Sequence, residues 1–522
     1  MNRKLIGALL LFLISSIAIG LVWFFLPKVT DTFQKTTSDA TKTKGKIVIA
    51  MDNWIGYFPL RSPEMKSLMR KAGWILVCED DNADYDTRMR RLKDGDIDFA
   101  VATVDSYILN AKKYDFPGII VSVIDESKGG DAILAVKTRV ASLDAMKKKA
   151  GIRVAFTPNS PSHHLAKAAA DHFNVSELLP TGDLRIETDG SEAARDKLLA
   201  GKADVAILWE PDVSRALAHE GIIKILGTED TQRLIVDILV ARRSLIKKSP
   251  ELVKQILGNY FRALKKYKDN PELLREHIKD ETQLPDDTVK AMLQGISWAN
   301  FSDNCEQWFG IAAPGSYSDE GLIDTIHSTT GILMNSGDFS SNPIPGDDPY
   351  RLTNSVFLEE LFGQGISGFT TPGSSPSGAG GIDSLGARFS PLEDGAWKAL
   401  REVGTLKVDP IVFQQGTDEL GLLARQVIDQ AVERVRHYPN FRIRIKGHSG
   451  TRGDPDENLK LSQNRADAVM RYLVVVHGMD PNRLRSMGMG GTEPLARDAD
   501  ESKRSHDYRL PRVEMVLVRE NY

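Results

Sequence analysis

The sequence predicts an α/β unit followed by a smaller α+β domain, both carried behind a single apolar N-terminal helix. Three observations predict it. Short apolar runs alternate with helical stretches from Lys46 onward, a Gly/Ser/Thr/Pro-rich segment at 363–381 interrupts that alternation, and 22 uncharged residues run from Leu5 to Leu26. At 522 residues the chain is also too long for one core, because a domain usually takes roughly 100–200 residues.

The first element, LIGALLLFLISSIAIGLVWFFL, reaches about 33 Å at about 1.5 Å per residue, enough to span a bilayer. A cleaved signal peptide has a shorter apolar core of roughly 7–15 residues and a small-x-small cleavage site, and neither fits here. Residues 1–28 are therefore expected to be an uncleaved anchor, with Trp23, Phe24 and Phe25 suited to its interfacial end. Arg3 and Lys4 outweigh Lys28, so the positive-inside rule leaves the N-terminus in the cytoplasm and the rest in the periplasm, tethered to the inner membrane. The span contains no ionisable side chain and so offers no proton relay. Residues 29–45 are polar and aperiodic, as a flexible stalk would be.

The α/β unit begins with KIVIAM, SPEMKSLMRKAG, WILVCED, DTRMRRLKDG and IDFAVAT, which read as βαβαβ. Such alternation predicts a mostly parallel sheet covered by helices, with ligands received at the loops after strand carboxyl ends. It recurs at GIRVAFTPNSPSHHLAKAAADHF and at EAARDKLLAGKADVAILWEP, and a further strand then leads into a long helix entered at Ser249-Pro250. Helical material continues to about 362. Residues 363–388 have too little apolar content to pack and read as a linker. Beyond it, TLKVDPIVF and FRIRIKGHS read as strands, each followed by a long helix, and PRVEMVLV as a last strand.

GKIVIAMDNWIGYFPL, KDGDIDFAVATVDSYIL, GIRVAFTPNSPSHHL, LLAGKADVAILWEPDVSRAL and VDILVARRSLIKKSPELVKQIL together resemble the solute-binding proteins of nitrate-, taurine- and alkanesulfonate-type ABC importers. The resemblance implies a two-lobed periplasmic binding protein fold of type II over 46–362. Lobe 1 would comprise 46–132 and 236–362, and lobe 2 would comprise 133–235. Candidate ligand contacts sit at strand ends and helix starts facing the implied cleft. They are Asn53, Trp54 and Tyr57 after the first strand, Asp105 and Ser106 after IDFAVAT, Ser160, Ser162 and His163 at a helix start, and Trp209 and Glu210 closing ADVAILWEP.

Free amides at a helix start favour an anionic or zwitterionic solute, the serines add hydroxyl donors, and His163 adds a charge switchable near neutral pH. Plainer roles stand beside these: an N-cap for Ser160 or Ser162, lobe packing for Trp54, a helix cap for Asp105. Glu210 would repel a bare dianion such as phosphate. His163 and His164 are adjacent on a helix and face different directions, so no metal pair is expected.

The tail resembles the OmpA-like peptidoglycan-binding domain over 389–522, most specifically where KGHSGTRGDPDENLKLSQNRADAVMRYL matches the GHTDxxGxxxxNxxLSxxRA signature. The resemblance implies that an Asp of the first motif and an Arg of the second grip the diaminopimelate of the wall peptide, carboxylate to ammonium and guanidinium to carboxylate. Arg465 stands in its place, Asn458 is retained, and Arg512 matches the second arginine of the terminal NRRVE strand. The Asp position is Gly450, which leaves the ammonium without its partner at a cost of up to several kcal/mol. Asp454, Asp456 and Glu457 are the nearby substitutes, and the other reading is a structural or protein-contact module.

These readings converge on a non-enzymatic, membrane-anchored periplasmic binder that looks like the phosphate-type substrate-binding/OmpA fusion proteins. Its expected partners are a small anionic or zwitterionic solute, peptidoglycan, and an ABC permease or other membrane protein. A structural or stator-like envelope protein is the competing class. No nucleophile elbow, P-loop or HExxH pair is present, and no cofactor is expected. Residues 391–522 carry 21 Lys+Arg against 20 Asp+Glu, and the whole chain carries -4, so no nucleic-acid footprint appears. Cys78 and Cys305 alone build no cysteine zinc site; they are two lone thiols or one long-range bridge.

Overall fold

The computed structural model describes residues 43–312, 318–364, 389–411, 413, 416–497 and 500–520. The expected anchor at 1–28, and nearly all of the stalk and linker, lie outside the described residues. Among those described, no helix is long and apolar enough to cross a membrane. Gly45 already belongs to the first strand and Gly363 still closes a helix, so stalk and linker each lose the terminal residue assigned to them.

The chain opens with β1 (Gly45–Met51), β2 (Trp74–Asp80), β3 (Phe99–Thr103) and β4 (Gly118–Ser127). It crosses to a second sheet of β5 (Asp131–Val136), β6 (Val154–Phe156), β7 (Arg185–Glu187), β8 (Val205–Trp209) and β9 (Ile222–Gly227). It then returns as β10 (Val236–Arg242) and β11 (Ile296–Trp298). The first sheet has the order β11-β4-β10-β3-β1-β2 and the second β7-β6-β8-β5-β9. The lobe change expected between 132 and 133 therefore falls inside β5, and the observed crossings are 128–130 and 228–235.

The two crossings are tied together where they pass. Ser127 N donates to Ile235 O (3.0 Å), while Thr228 Oγ1 accepts from the N–H of Gly129 (2.9 Å) and of Asp131 (3.1 Å). This topology also corrects the expectation of a mostly parallel sheet. β1 runs parallel to β2 and β3, but β10 is antiparallel to both β3 and β4, and β11 is antiparallel to β4. A parallel neighbour requires a crossover on the same sheet, usually helical, whereas β10 re-enters from the other lobe and runs the opposite way.

Local signals place the elements. β1 is buried from Ile47 through Met51, the continuous apolar run of a strand covered on both faces. Ser160 caps the helix Pro161–Phe173 by accepting from His163 N, and Asn174 ends it with φ 53°. Cys78 and Cys305 are free thiols, and burial pushes both up to about 12.

The C-terminal domain forms a four-stranded sheet from β12 (Arg401–Thr405), β13 (Arg442–His448), β14 (Leu484–Gly488) and β15 (Arg512–Arg519), in the order β12-β15-β13-β14. Its opening strand is REVGT, mostly upstream of the expected TLKVDPIVF, which contains Pro410 and contributes an isolated bridge between Phe413 and Leu420. The helix Pro455–His477 joins the parallel pair β13 and β14 and lies close on the sheet. Gly447 and Gly488, paired across that ladder, permit the approach: a Cβ on Gly447 would collide with the Ser462 carbonyl oxygen, and one on Gly488 would lie 2.8 Å from Gln463 N.

This domain docks on lobe 2. Phe173, Leu143 and Val175 share one apolar core with Tyr438, Phe441 and Val403, and a Cβ on Gly404 would come within 2.8 Å of the Phe173 ring. Asp144 accepts from Thr405 N (2.8 Å), and Lys407 N donates to His172 O (2.7 Å). The second crossing is held too: Gln232 N donates to His437 O (2.8 Å), Asn440 Nδ2 to Glu229 O (3.0 Å), and Arg519 pairs with Asp230.

Candidate functional site

A cavity of about 1220 Å³ opens between the lobes, where the ends of β1, β8 and β10 meet the loops after β6 and β7. Six of the ten expected contacts line it: Asn53, Trp54, Tyr57, Ser160, Trp209 and Glu210. Trp54 closes over Gly130 at the first crossing, where a side chain would strike the indole. Its Nε1 donates to Asp125 Oδ1 (3.3 Å). Tyr57 is buried, and its hydroxyl donates to Asp237 Oδ1.

The other four are not on the cavity wall. Asp105 and Ser106 are buried at the start of the helix Val104–Ala111; Ser106 Oγ donates to the Asn159 carbonyl of the facing lobe at 3.4 Å. Burial pushes the Asp105 carboxyl up to about 6. Ser162 Oγ donates to Asp131 Oδ1 (2.6 Å), so it acts through that carboxylate. His163 is no switchable charge near neutral pH. Its ring stacks on Phe156 with centroids 4.5 Å apart, and its Nδ1 accepts from Asn159 N (3.2 Å). Burial, then Lys167 and Arg185, hold its pKa down to about 2. Ser160 spends its hydroxyl on the helix, accepting from His163 N and donating to Thr157 O (2.7 Å). Glu210 does the same for the next helix, accepting from Ser214 N (3.1 Å) and Ser214 Oγ (2.8 Å).

Sequence reasoning missed the acids that dominate this cavity. Asp52, Asp131 and Asp237 line it beside Tyr85. Asp52 pairs with the fully buried Arg88 (3.3 Å), which also holds Asp81. Asp131 accepts from Ser127 Oγ (2.9 Å) as well as Ser162, and burial pushes it up to about 6. Asp52 adjoins Asn53 at a strand carboxyl end, a signal available in the sequence. Asp131 opens a strand and Asp237 sits within one, and nothing local marks either.

In the C-terminal domain Arg465 is buried, its Nε donating to Thr417 O (3.1 Å) and its guanidinium lying 5.0 Å from the Phe413 ring centre. Asn458 Nδ2 closes the motif loop on Arg452 O (2.9 Å). Arg512 is engaged within its own strand region, with Nε on Glu514 Oε1 (2.6 Å) and its terminal nitrogens on the carbonyls of Leu510 and Glu493. Gly450 has open space where a Cβ would point and no positive φ. Asp454 caps the helix Pro455–His477 through the N–H groups of Asp456 and Glu457, so its carboxylate is committed there. Among the described residues, no group of three His, Cys, Asp or Glu side chains is placed to hold a metal ion.

Residues 412–507 match the OmpA family model. Over 88 residues the chain is 34% identical to the peptidoglycan-associated lipoprotein of Rhizobium meliloti (strain 1021), covering 17% of this chain and 49% of that protein. Over 76 residues it is 30% identical to the probable lipoprotein YiaD of Escherichia coli (strain K12), covering 15% and 34%. The chain thus spans about half the length, or less, of these curated relatives. The periplasmic aliphatic sulphonate binding protein SsuA of Escherichia coli is similar with a TM-score of 0.43 and 15% identity, over 57% of this chain and 89% of that one. The alkanesulfonate-binding protein SsuA of Xanthomonas axonopodis pv. citri, bound to MOPS, gives 0.43 and 14%, over 57% and 96%. The chain joins a two-lobed α/β fold to a C-terminal domain that matches the OmpA family model over 412–507.

Proposed function

We propose that this chain is a non-enzymatic periplasmic binder, tethered to the inner membrane by residues 1–28, which captures a small solute between its lobes and contacts the cell wall through its OmpA-like domain. The observation that carries the reading is the cavity of about 1220 Å³ at the junction of two lobes joined by two crossings. Ligand sites in such folds lie outside strand carboxyl ends, in clefts lined by aromatic and a few polar groups. Asn53, Trp54, Tyr57, Ser160, Trp209 and Glu210 are its ligand-facing residues. An importer permease or a signalling protein in the membrane would receive the loaded binder.

Wall contact runs through Arg465, whose guanidinium suits a carboxylate of the peptide stem. With Gly450 in the acid's position the contact is weak. Thermal unfolding of the full chain in detergent, with small-molecule fractions of a cell extract added, tests the solute arm. A fraction that stabilises the wild type and leaves Trp54→Ala unmoved supports the reading, and no stabilising fraction contradicts it.

A further inference from the structure

Charge is distributed unevenly around the cavity. Nine carboxylates line it, whereas its only lining cations among the described residues are Arg61 and Arg215. Both already have partners. Arg61 Nε binds Glu281 (2.7 Å) and its other nitrogens reach the carbonyls of Trp54 and Asn53, while Arg215 lies 3.4 Å from Asp212. A bare anion entering here would meet unbalanced negative charge.

The floor carries the second observation. Asp125 and Asp237 stand directly opposite each other on the antiparallel strands β4 and β10, so their carboxyls leave the same face of the sheet. Asp237 lines the cavity; Asp125 is fully buried just behind Trp54. Their donors are neutral: the Trp54 indole on Asp125 Oδ1 and the Tyr57 hydroxyl on Asp237 Oδ1. Asp125 Oδ2 is buried with no hydrogen-bond partner. Two adjoining buried carboxyls require a positive charge between them, a proton when the site is empty or a ligand's charge when it is filled. No metal-holding group of side chains occurs among the described residues, and Trp54, Tyr57 and Tyr85 give the wall an aromatic character that suits an organic cation.

We propose that the cleft selects a small organic ammonium, its protonated nitrogen held by Asp237 and Asp125 beneath Trp54. The inference rests on the binder reading and narrows it: of an anionic or a zwitterionic solute, only the zwitterion brings the required positive group. Burial first, then the neighbouring acids, raises Asp125 to about 7 and Asp237 well above the carboxylate range. Asp52, Asp131, Glu126, Tyr57, Tyr85 and Tyr260 are the other titratable groups facing the pair, and all are acids or phenols. The empty pair therefore keeps a proton near neutrality. Ammonium binding expels it, so affinity rises as pH rises through neutrality.

The test is calorimetry and thermal unfolding of the full chain in detergent with 1,4-diaminobutane, methylammonium and lysine, set against propanesulfonate and inorganic phosphate. At least one ammonium compound should bind with proton release, at least tenfold more weakly to Asp237→Asn and Asp125→Asn, and neither anion should bind. Each Asn variant, checked for folding by circular dichroism, should also unfold at a higher temperature than the wild type at pH 8 without ligand, because it removes a buried acid whose raised pKa costs stability as pH rises. Binding of an anion that both Asn variants leave intact would overturn the ammonium assignment and leave the binder reading standing. Lower unfolding temperatures in both Asn variants, with no ammonium compound bound, would make the acids structural and sink the inference. The binder reading would then stand or fall on the extract experiment.

Discussion

Tyr438 of the C-terminal domain and His172 of lobe 2 share a buried hydrogen bond of 2.9 Å, the phenol also meeting Phe173 edge-on at 5.2 Å between ring centres. Both residues are buried, and they sit at the centre of a core that belongs to neither domain alone. Lobe 2 and the C-terminal domain are thus packed as one body at this end of the molecule. Tyr438→Ala should destabilise both by about 3–5 kcal/mol, the usual range for emptying a large aromatic site. Differential scanning calorimetry checks it: the transitions of lobe 2 and the C-terminal domain should fall together. A variant in which only one of them moves would show that the shared core does not couple them.

His172 also sets a pH dependence. Burial holds its pKa well below the ordinary histidine range, with His437 stacked 5.4 Å away as a further cause. The native state therefore keeps this ring neutral, while the unfolded chain protonates it below about pH 6.5. The unfolded state then binds more protons, so this residue's contribution is intact above pH 6.5 and is lost as pH falls below it. His172→Gln should flatten that fall by up to about 1.4 kcal/mol per pH unit between pH 6.5 and 5. Urea unfolding at a series of pH values compares the two slopes, and equal slopes would remove His172 from the effect.

Gly447→Ala probes the seat of the helix Pro455–His477. The added methyl meets the Ser462 carbonyl oxygen and lies 3.3 Å from the Ala466 Cβ, so the helix must shift off the sheet. Overpacking of this kind costs about 1–3 kcal/mol. Chemical denaturation should report that loss, whereas Gly450→Ala, with open space around it, should fall within about 0.5 kcal/mol of the wild type.

The same open space makes Gly450→Asp informative for wall binding. Gly450 has no positive φ, so an aspartate there is free of backbone strain and restores the acid that the motif lacks. Pull-down on isolated sacculi should rise by a few-fold to about a hundredfold, limited by the desolvation of the restored pair. Arg465→Ala should abolish the gain. A Gly450→Asp protein that folds normally but binds no better would place wall contact elsewhere on the domain.

Much of this architecture was legible in the sequence because period and punctuation carry it: the continuous apolar run of β1, the Ser160 cap and the Ser249-Pro250 helix start all lie where the residues put them. Sheet direction was not legible. β10 reads as one more strand, and only its entry from the other lobe makes it antiparallel. The site divides in the same way. Trp54 and Glu210 follow strand ends and were found. Asp237 lies in a strand, and its importance comes from Asp125, 112 positions earlier, which register alone sets opposite it. His163 misled because a helix-start histidine resembles a ligand group until Phe156 is seen stacked on it.

The claim that matters most is that the cavity beneath Trp54 holds a small solute. Native mass spectrometry of the gently purified full chain, released from detergent in the spectrometer, tests it most directly. The account predicts a discrete added mass on the wild type, containing a basic nitrogen, that is diminished in Asp237→Asn and absent from Trp54→Ala. A bare polypeptide mass in every preparation, or an adduct that survives Trp54→Ala unchanged, would contradict it.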